Sequence, residues 1–162
     1  MIREIDTNDF TAFIECIDAF GEDARLDEAN RIDKEHLLQC VKEGLINPNN
    51  KVFVKVMDNK IVGFIAGQIQ QRFWNKTVFG EIIFLYIHSA VRNKRIADEF
   101  YQHITEWFED MGCEYMLTSV CHWNKDYEPE EEWMRKAKTY YEFKKMKPVG
   151  YYYIKELDHG QE

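Results

Sequence analysis

The sequence predicts an α/β fold: a mixed sheet with helices on its faces, in the order β-α-α-β-β-β-α-β-α-β. The stretch KVFVKVMDNKIVGFIAGQIQ (51–70) has two β-rich runs around a polar turn, the form of a β-hairpin. The run from Ile82 to His88 is almost wholly apolar, which is typical of a strand buried on both faces. A helical pattern and another strand pattern follow, and a strand, helix and strand in that order predict a right-handed parallel crossover.

The N-terminal part of the chain predicts one short strand and two helices. Residues 2–5 form the strand pattern, and residues 6–9 supply candidate N-caps. Apolar side chains then recur at helical spacing from Phe10 until Gly21, which we take as the end of the first helix. After an acidic connection, a second helix is predicted over about residues 33–43.

The remaining elements alternate between strands and helices. Turns at 58–60 and 74–76 separate three strands, and the third strand is VFGEIIFLYI (78–87). The next helix ends at Gly112 and carries an apolar stripe formed by Ile96, Phe100, Ile104, Trp107 and Met111. Three further elements complete the order: a strand in YMLTSVCHW (115–123), a helix over about 131–145 and a strand in VGYYYIKEL (149–157).

Length, charge and cysteine usage limit the classes of function. The 162 residues predict one domain over 1–157 and a short tail at 158–162. A net charge of −8 argues against general nucleic-acid binding, which rests on many Lys and Arg contacts to phosphates. The sequence has no signal-peptide core and no 18-residue apolar run, so we expect a cytoplasmic protein without a membrane segment. The four cysteines lack metal-ligand spacing, so we expect reduced thiols and no metal.

Three cations stand at the start of the helix that follows the apolar strand. Arg92, Lys94 and Arg95 lie where the partial positive charge of a helix N-terminus makes cations unfavourable by about 0.3–1 kcal/mol each. Either solvent and the following acids compensate this cost, or an anion binds there. Neither GxxxxGK[ST] nor GxGxxG occurs, so no nucleotide fingerprint decides between these alternatives.

Two motifs resemble those of a known family. LYIHSAVRNKRIADEF (85–100) is similar to the GNAT acyl-CoA-dependent N-acetyltransferases, whose strand ends L-x-V/I and whose helix opens with R/Q-x-x-G-x-G/A. Leu85, Ile87, Arg92 and Ala97 match that pattern, and Arg95 replaces its first glycine.

The second motif lies in AKTYYEFKKMKPVG (137–150), which resembles the family pattern A-x-x-F/L-Y-x-K-x-G-F. Ala137, Tyr140 and Tyr141 are in register, whereas Lys145 and Met146 stand in place of G-F. The two matches occur in the correct order and spacing, and the resemblance covers nearly the whole chain. It implies a GNAT fold with a mostly antiparallel sheet and a central pair of parallel strands that splay apart.

The resemblance also implies a site for acetyl-CoA. Backbone N–H groups of the loop at 92–97 would bind the pyrophosphate, with the helix dipole behind it. The side-chain cations would meet phosphate oxygens. The pantetheine arm would run along the strand end where the parallel strands separate. The residues implied to bind the cofactor are Leu85, Tyr86, Ile87, Arg92, Asn93, Lys94, Arg95, Ile96 and Ala97.

The same resemblance suggests the catalytic residues. Glu81 matches a position where some family members carry a catalytic glutamate, and partial burial is expected to raise its pKa and suit it to a general base. Tyr141 matches the tyrosine that protonates the departing thiolate. The alternatives are a solvated or ion-paired Glu81, a core role for Tyr141, and His122 as base, with His122 and Asn124 lining the acceptor side.

The acceptor is expected to be a primary amine, in a small molecule or a peptide. Acid-rich stretches around 22–28 and 126–132 favour a cationic acceptor such as a polyamine, an aminoglycoside or a lysine side chain, although charge runs are more often solvated surfaces. Two other classes remain open: a catalytically silent GNAT-fold binding module, and an RNA-binding domain that uses RNKR. The aromatic run at 151–153 suggests a homodimer through an edge strand.

Overall fold

A computed structural model describes residues 1–24, 32–119 and 130–148. The chain forms two compact units, residues 1–124 and residues 125–162. The first unit holds the sheet and three of the four α-helices described, and the fourth, α4 (Glu130–Phe143), belongs to the second unit.

The five strands of the first unit lie side by side in the order in which they occur in the chain. They are β1 (Ile2–Glu4), β2 (Asn50–Met57), β3 (Lys60–Gln71), β4 (Val78–Ile87) and β5 (Tyr115–Thr118). Neighbouring strands are antiparallel except for β4 and β5, which are parallel. This confirms the predicted mixed, mostly antiparallel sheet. The hairpin between β2 and β3 also turns where the sequence placed it, with positive φ at both Asp58 and Asn59, as two-residue turns of type I′ require.

Three α-helices flank the sheet: α1 (Phe10–Ala24), α2 (Lys34–Ile46) and α3 (Lys94–Asp110). The prediction that the first helix ends at Gly21 is wrong, because the helix continues to Ala24. Its last turns are held by tertiary contacts, since the ring of Phe20 packs edge-on against Phe84 and Tyr86 of β4. Such packing outweighs the cost of a glycine within a helix, about 0.5–1 kcal/mol. The second helix likewise runs past the predicted end, to Ile46.

Side chains alternate between two cores, one on each face of the sheet. Ile65 and Ile87 pack with the stripe of α3, whereas their neighbours Phe64 and Tyr86 pack with α1 and α2. The alternation follows from the two-residue period of a strand, and it confirms helices on both faces. Met111 is the exception in the predicted stripe of α3, because it is exposed at the helix C-cap.

Helix α3 approaches the sheet at positions where the strands carry glycine. A Cβ atom built on Gly80 would lie 2.3 Å from Cγ of Phe108, and one on Gly67 would lie 2.7 Å from Cδ1 of Ile104. Only glycine permits such a short distance between α3 and the strands. Gly80 and Ile82, two residues further along β4, therefore lie on the face of the sheet that points towards α3. Glu81, between them, points to the opposite face.

The prediction that β4 is buried on both faces is wrong at two positions. Ile83 is 52 % exposed and Leu85 is 37 % exposed. Ile83 is an extra residue in the ladder, because Ala66 of β3 pairs with Phe84 and Gly67 pairs with Ile82. Among the described residues, the pairing of β4 with β5 also ends at Ile82, so the second half of β4 has β3 on one side only.

Both α3 and α4 end in the same hydrogen-bonded motif. At the end of α3, the N–H of Cys113 donates to the carbonyl of Phe108 and the N–H of Gly112 donates to that of Glu109. Gly112 has φ +74°, which confirms it as the helix stop. At the end of α4, the N–H of Met146 donates to Tyr141 and that of Lys145 donates to Glu142, and Lys145 has φ +60°.

Several predicted features lie outside the described residues. These are the strand at 149–157 with its aromatic run at 151–153, the tail at 158–162, most of the loop at 124–132, and the side chains of Cys121, His122 and Asn124. The strand predicted over 115–123 is described as Tyr115–Thr118. The single domain over 1–157 stays a prediction.

Candidate active site

The connection from β4 to α3 folds back on itself through short hydrogen bonds. The N–H of His88 donates to the carbonyl of Val62 at 2.9 Å, and the N–H of Val91 donates to the carbonyl of His88 at 3.0 Å. The N–H of Ala90 donates to Nδ1 of His88 at 3.1 Å. We refer to residues 88–93 as the β4–α3 loop. It leads directly into the helix N-terminus where the resemblance places a phosphate site.

Asn93 caps α3. Its Oδ1 accepts a hydrogen bond from the N–H of Ile96 at 3.0 Å, and its Nδ2 donates to the carbonyl of Val91 at 2.9 Å. The first bond satisfies one of the helix donors that have no partner within the helix. An anion at this terminus would therefore meet the other N–H groups of the first turn, unless the side chain of Asn93 moves away.

Arg95, which replaces the motif glycine, lies in ordinary helical backbone. Lys94 and Arg95 are the first two residues of α3, and neither has a positive φ. The Arg95 side chain is 89 % exposed, and its Nε lies 3.2 Å from Oε1 of Glu99. The backbone therefore does not need the special conformations of glycine at this position.

Glu99 binds two cations beside the predicted phosphate site. Its carboxylate accepts a hydrogen bond from Lys55 of β2 and pairs with Arg95 one helical turn away. The bond from Lys55, helped by its charge and by Arg95, lowers the pKa of Glu99 although burial alone would raise it. The carboxylate is thus ionised and offsets part of the positive charge at the start of α3.

Arg92 is held by the protein itself. Its Nε donates to the carbonyl of Ile87 at 2.9 Å, and its guanidinium lies 3.5 Å from Oδ2 of Asp23. The side chain remains 56 % exposed. Arg92 therefore links the end of β4 to the last turn of α1 while presenting part of its guanidinium to solvent.

Asp23 gathers several contacts at the end of β4. Its Oδ2 accepts from the Tyr86 hydroxyl at 2.8 Å and from the Ser89 N–H at 3.0 Å, and its Oδ1 accepts from the Ser89 hydroxyl at 2.8 Å. Burial alone would raise the pKa of Asp23, but the bonds from Ser89 and Tyr86 and the charge of Arg92 outweigh it and lower that pKa. Sequence reasoning grouped Asp23 with acids for acceptor recognition and missed this role.

The three strand residues predicted to contact the cofactor point in different directions. Leu85 is partly exposed, Tyr86 is buried against α1, and Ile87 is buried in the α3 core. Burial, followed by the bond to Asp23, raises the pKa of Tyr86. Of these three side chains, only that of Leu85 offers exposed surface.

Glu81 lies half-buried earlier on the same strand. One of its oxygens, Oε2, accepts a hydrogen bond from Nε2 of Gln70, and its neighbours across the sheet are Gln68 and Leu117. Leu85 lies four positions further along the strand, which is about 13 Å of extended strand. A base at this position would use its second oxygen or release Gln70.

A second cluster that the sequence did not reveal lies near Glu81. The guanidinium of Arg72 lies 4.8 to 5.4 Å from the ring centroids of Trp74, Phe79 and Tyr115, and its Nε donates to the Tyr115 hydroxyl. Phe79 and Tyr115 are stacked across the parallel pair. Arg72 therefore ties the end of β3 to β5 across β4. The residues involved are spread over 44 positions, so no local pattern points to them.

Tyr141 belongs to the second unit. It is half-buried in α4, and its ring centroid lies 5.5 Å from that of Tyr140 in an edge-on arrangement. The carbonyl of Tyr141 accepts the N–H of Met146 in the motif that ends α4. Ala137 and Tyr140, the other matched residues of the second motif, lie in the same helix.

Within residues 1–24, 32–119 and 130–148, no group of three or more His, Cys, Asp or Glu side chains could hold a metal ion. In those same ranges, none of the helices is both long and apolar enough to cross a membrane.

The mixed sheet, its parallel pair and the basic loop that opens α3 define an acetyltransferase type of fold. Comparison with solved structures supports this. An aminoglycoside acetyltransferase from an uncultured soil metagenomic sample is 18 % identical, with a TM-score of 0.68 and 96 % of each chain covered. Glucosamine-6-phosphate N-acetyltransferase from Arabidopsis thaliana is 17 % identical, with a TM-score of 0.72 and 98 % of each chain covered.

A third structure, ribosomal-protein-alanine N-acetyltransferase from Brucella melitensis biovar Abortus 2308, is 15 % identical with a TM-score of 0.68. It covers 96 % of this chain and 99 % of its own. At these identities the likeness shows the fold. A comparison with curated proteins found no match.

The sequence model of the acetyltransferase (GNAT) family matches residues 10–128, well over half of the chain. The chain therefore belongs to the GNAT acetyltransferase family. Members of this family generally use acetyl-CoA and act on small-molecule or amine acceptors.

Proposed function

We propose that the protein transfers an acetyl group from acetyl-CoA to a primary amine by direct attack. The observation that carries this proposal is the family match over residues 10–128, because it includes β4, the β4–α3 loop and α3 together. The family supplies the donor and the general reaction. The residue roles come from the motif resemblance, and the class of acceptor is inferred from the net charge and from the structural neighbours.

The start of α3 is the proposed site for the phosphates of coenzyme A. Its first turn offers N–H groups that lack partners within the helix, and Arg92 of the loop before it lies on exposed surface, as do Lys94 and Arg95. Phosphate oxygens would replace solvent around these cations. The pantetheine arm would lie along Leu85–Ile87, where β4 continues beyond its described pairing with β5.

The proposed chemistry uses one carboxylate and one phenol. The acceptor ammonium gives one proton to Glu81, directly or through water, which leaves an electron pair on nitrogen. That nitrogen attacks the thioester carbon, the C–N bond forms, and the C–S bond breaks with the electron pair on sulfur. The nitrogen's second proton passes to water, Tyr141 protonates the thiolate, and the tyrosinate regains its proton from solvent.

The proposed acceptor is a cationic amine. The net charge of −8 favours cations over anions at long range. The structural neighbours named above act, by their names, on an aminoglycoside, an amino sugar phosphate and a ribosomal protein alanine, which all carry amines. We therefore favour a small polyamine or amino sugar, with a peptide amine as the alternative within the same chemistry.

Isothermal titration with acetyl-CoA, followed by thiol release across a panel of amines, tests the proposal. Titration should show binding, and at least one amine should give turnover. In Glu81→Gln and Tyr141→Phe, kcat should fall by about 100-fold or more, as removal of a general base or acid predicts. Tyr140→Phe is the matched control and should retain most activity. Lack of acetyl-CoA binding at millimolar concentration would refute the proposal.

A catalytically silent binding module is the second candidate. Arg95 and Lys145 in place of motif glycines favour it, because bulky side chains can block close approach of a ligand to the backbone. Under this alternative, titration shows binding of coenzyme A but no amine produces free thiol. Turnover that falls in Tyr141→Phe excludes it.

A further inference from the structure

Asp23 connects three parts of the first unit that sequence distance keeps apart. It lies in the last turn of α1, Tyr86 lies in β4, and Ser89 and Arg92 lie in the β4–α3 loop. The carboxylate is only 23 % exposed, and both of its oxygens accept hydrogen bonds. Hydrogen bonds to a charged acceptor are stronger than those between neutral groups, so this arrangement resists distortion.

We propose that Asp23 is a positioning residue for coenzyme A, and that it fixes the β4–α3 loop while keeping Arg92 available to the phosphates. This inference rests on the proposed function, because it assigns a role at the same cofactor site. Asp23 itself would not touch the cofactor. It would act through Ser89, whose N–H and hydroxyl both donate to it, and through Arg92.

The contacts of Asp23 divide into two kinds. Those with Tyr86 and Ser89 are 2.8 to 3.0 Å long and hold the backbone of the loop at the end of β4. The contact with Arg92 is 3.5 Å long, and the guanidinium is more than half exposed. The longer and more exposed contact is the easier one to exchange for an anionic ligand, whereas the shorter ones stay in place.

Arg92 is also anchored independently of Asp23. Its Nε donates to the carbonyl of Ile87. This bond can hold the side chain in place while the terminal nitrogen atoms exchange Asp23 for a phosphate. In this arrangement Asp23 neutralises Arg92 when no ligand is bound.

The test is titration with coenzyme A of the full chain, of three variants at the Asp23 cluster and of one control variant. Asp23→Ala should weaken affinity by about tenfold, because the β4–α3 loop is no longer held in the arrangement that would bind the phosphates. Asp23→Asn keeps one acceptor oxygen and should lose less, and Ser89→Ala, which removes one bond, should lose about threefold. Asp18→Ala is the control, because Asp18 is a neighbouring acid of α1 that pairs only with Lys34 among the described residues.

Kinetic constants distinguish a positioning role of Asp23 from a role in stability alone. Asp23→Ala should raise the KM for acetyl-CoA by about the same factor as its dissociation constant while changing kcat less than about twofold. Unchanged affinity in both Asp23→Ala and Ser89→Ala overturns the inference, and if Asp23→Ala fails to fold, Ser89→Ala decides alone. If the wild type binds coenzyme A but acetylates no amine, the proposed enzymatic activity is refuted and the positioning role of Asp23 is not. Absence of wild-type binding refutes both.

Discussion

Gly112 and Lys145 occupy the same position in two helix ends of the same kind. Each is the first residue past the C-cap, each has a positive φ (+74° and +60°), and each is followed by an N–H that donates to a carbonyl five residues earlier. Glycine adopts this conformation without steric cost, whereas a residue with a Cβ atom does not. In the family motif the position of Lys145 is a glycine. Lys145 thus adopts a left-handed backbone although it carries a Cβ atom.

Replacing Lys145 with glycine should therefore stabilise the end of α4. We expect Lys145→Gly to raise the free energy of unfolding by about 1 kcal/mol, because the left-handed conformation no longer strains a side chain. Lys138→Gly is the matched control within the same helix and should lower that free energy by about 1 kcal/mol. Urea denaturation followed by circular dichroism measures both. A loss of stability in Lys145→Gly would contradict the assigned backbone conformation.

Adding one methyl group at Gly80 should disrupt the contact between β4 and α3. The new Cβ would lie 2.3 to 2.5 Å from ring atoms of Phe108, which is buried and cannot yield easily. We expect Gly80→Ala to lower the free energy of unfolding by about 2–3 kcal/mol.

The control is the same substitution at Gly21, inside α1, where no described atom outside the adjoining residues and the backbone of the helix itself lies within 4 Å of the built Cβ. Gly21→Ala should raise stability by about 0.5–1 kcal/mol, because alanine is the better helix former. Thermal and urea denaturation provide both values. Opposite signs for the two substitutions are the result that supports the packing described.

Stability should fall in acid partly through Asp9. Arg3 donates two hydrogen bonds to this carboxylate, at 2.6 and 2.7 Å, and the N–H of Asp6 donates a third. The bonds from Arg3 lower the pKa of Asp9 although burial alone would raise it. The contribution of Asp9 is therefore complete above the unfolded-state pKa of about 3.9 and is lost as the pH falls through the lower folded-state value.

The Asp9→Asn variant tests this dependence. It should lose about 2 kcal/mol of stability at pH 7, since hydrogen bonds between charged partners are removed. Its stability should also fall less steeply than that of the wild type between pH 5 and pH 2, in urea titrations at fixed ionic strength. Asp58→Asn, in the exposed hairpin turn, should leave the slope unchanged. Parallel slopes for the wild type and Asp9→Asn would contradict the prediction.

The described cysteines should differ in reactivity. Burial raises the pKa of the Cys16 thiol to about 12, and burial also raises the pKa of Cys113. Cys40 is exposed on α2. Because the thiolate is the reactive form, iodoacetamide at pH 8 should label Cys40 first, Cys113 more slowly and Cys16 only after unfolding. Peptide mass spectrometry over time measures the order, and early labelling of Cys16 would contradict its placement.

Local patterns predicted most of the fold. The two-residue period of the hairpin, the apolar stripe of α3 and its glycine stop are properties of short segments, and each lies where the pattern placed it. The failures arise from tertiary contacts. Helix α1 continues past Gly21 because Phe20 packs on β4. Leu85 is partly exposed although the apolar segment that contains it has the composition of a core strand.

The candidate site was predictable only in part. The motifs pointed to the β4–α3 loop and to Arg92, but they gave no sign that Arg92 approaches Asp23, which lies 69 positions earlier. The periodic patterns of helices and strands do not predict a contact between residues that are 69 positions apart in the sequence. The same holds for the bond from Gln70 to Glu81 and for the cluster around Arg72. These contacts depend on strand pairing and register, which a single sequence does not fix.

The extra residue Ile83 sets the parity of β4. Before Ile83, the even-numbered residues Gly80 and Ile82 face α3. After Ile83, the even-numbered residues Phe84 and Tyr86 face α1. Glu81 and Leu85 therefore project from opposite sides of the sheet although they are four positions apart, an even number that would place them on the same side of a regular strand. Deleting Ile83 would restore regular alternation and turn either the carboxylate or the strand end to the other side. Substitutions leave this alternation intact, whereas a change of one residue in the length of β4 would separate the proposed base from its present neighbours.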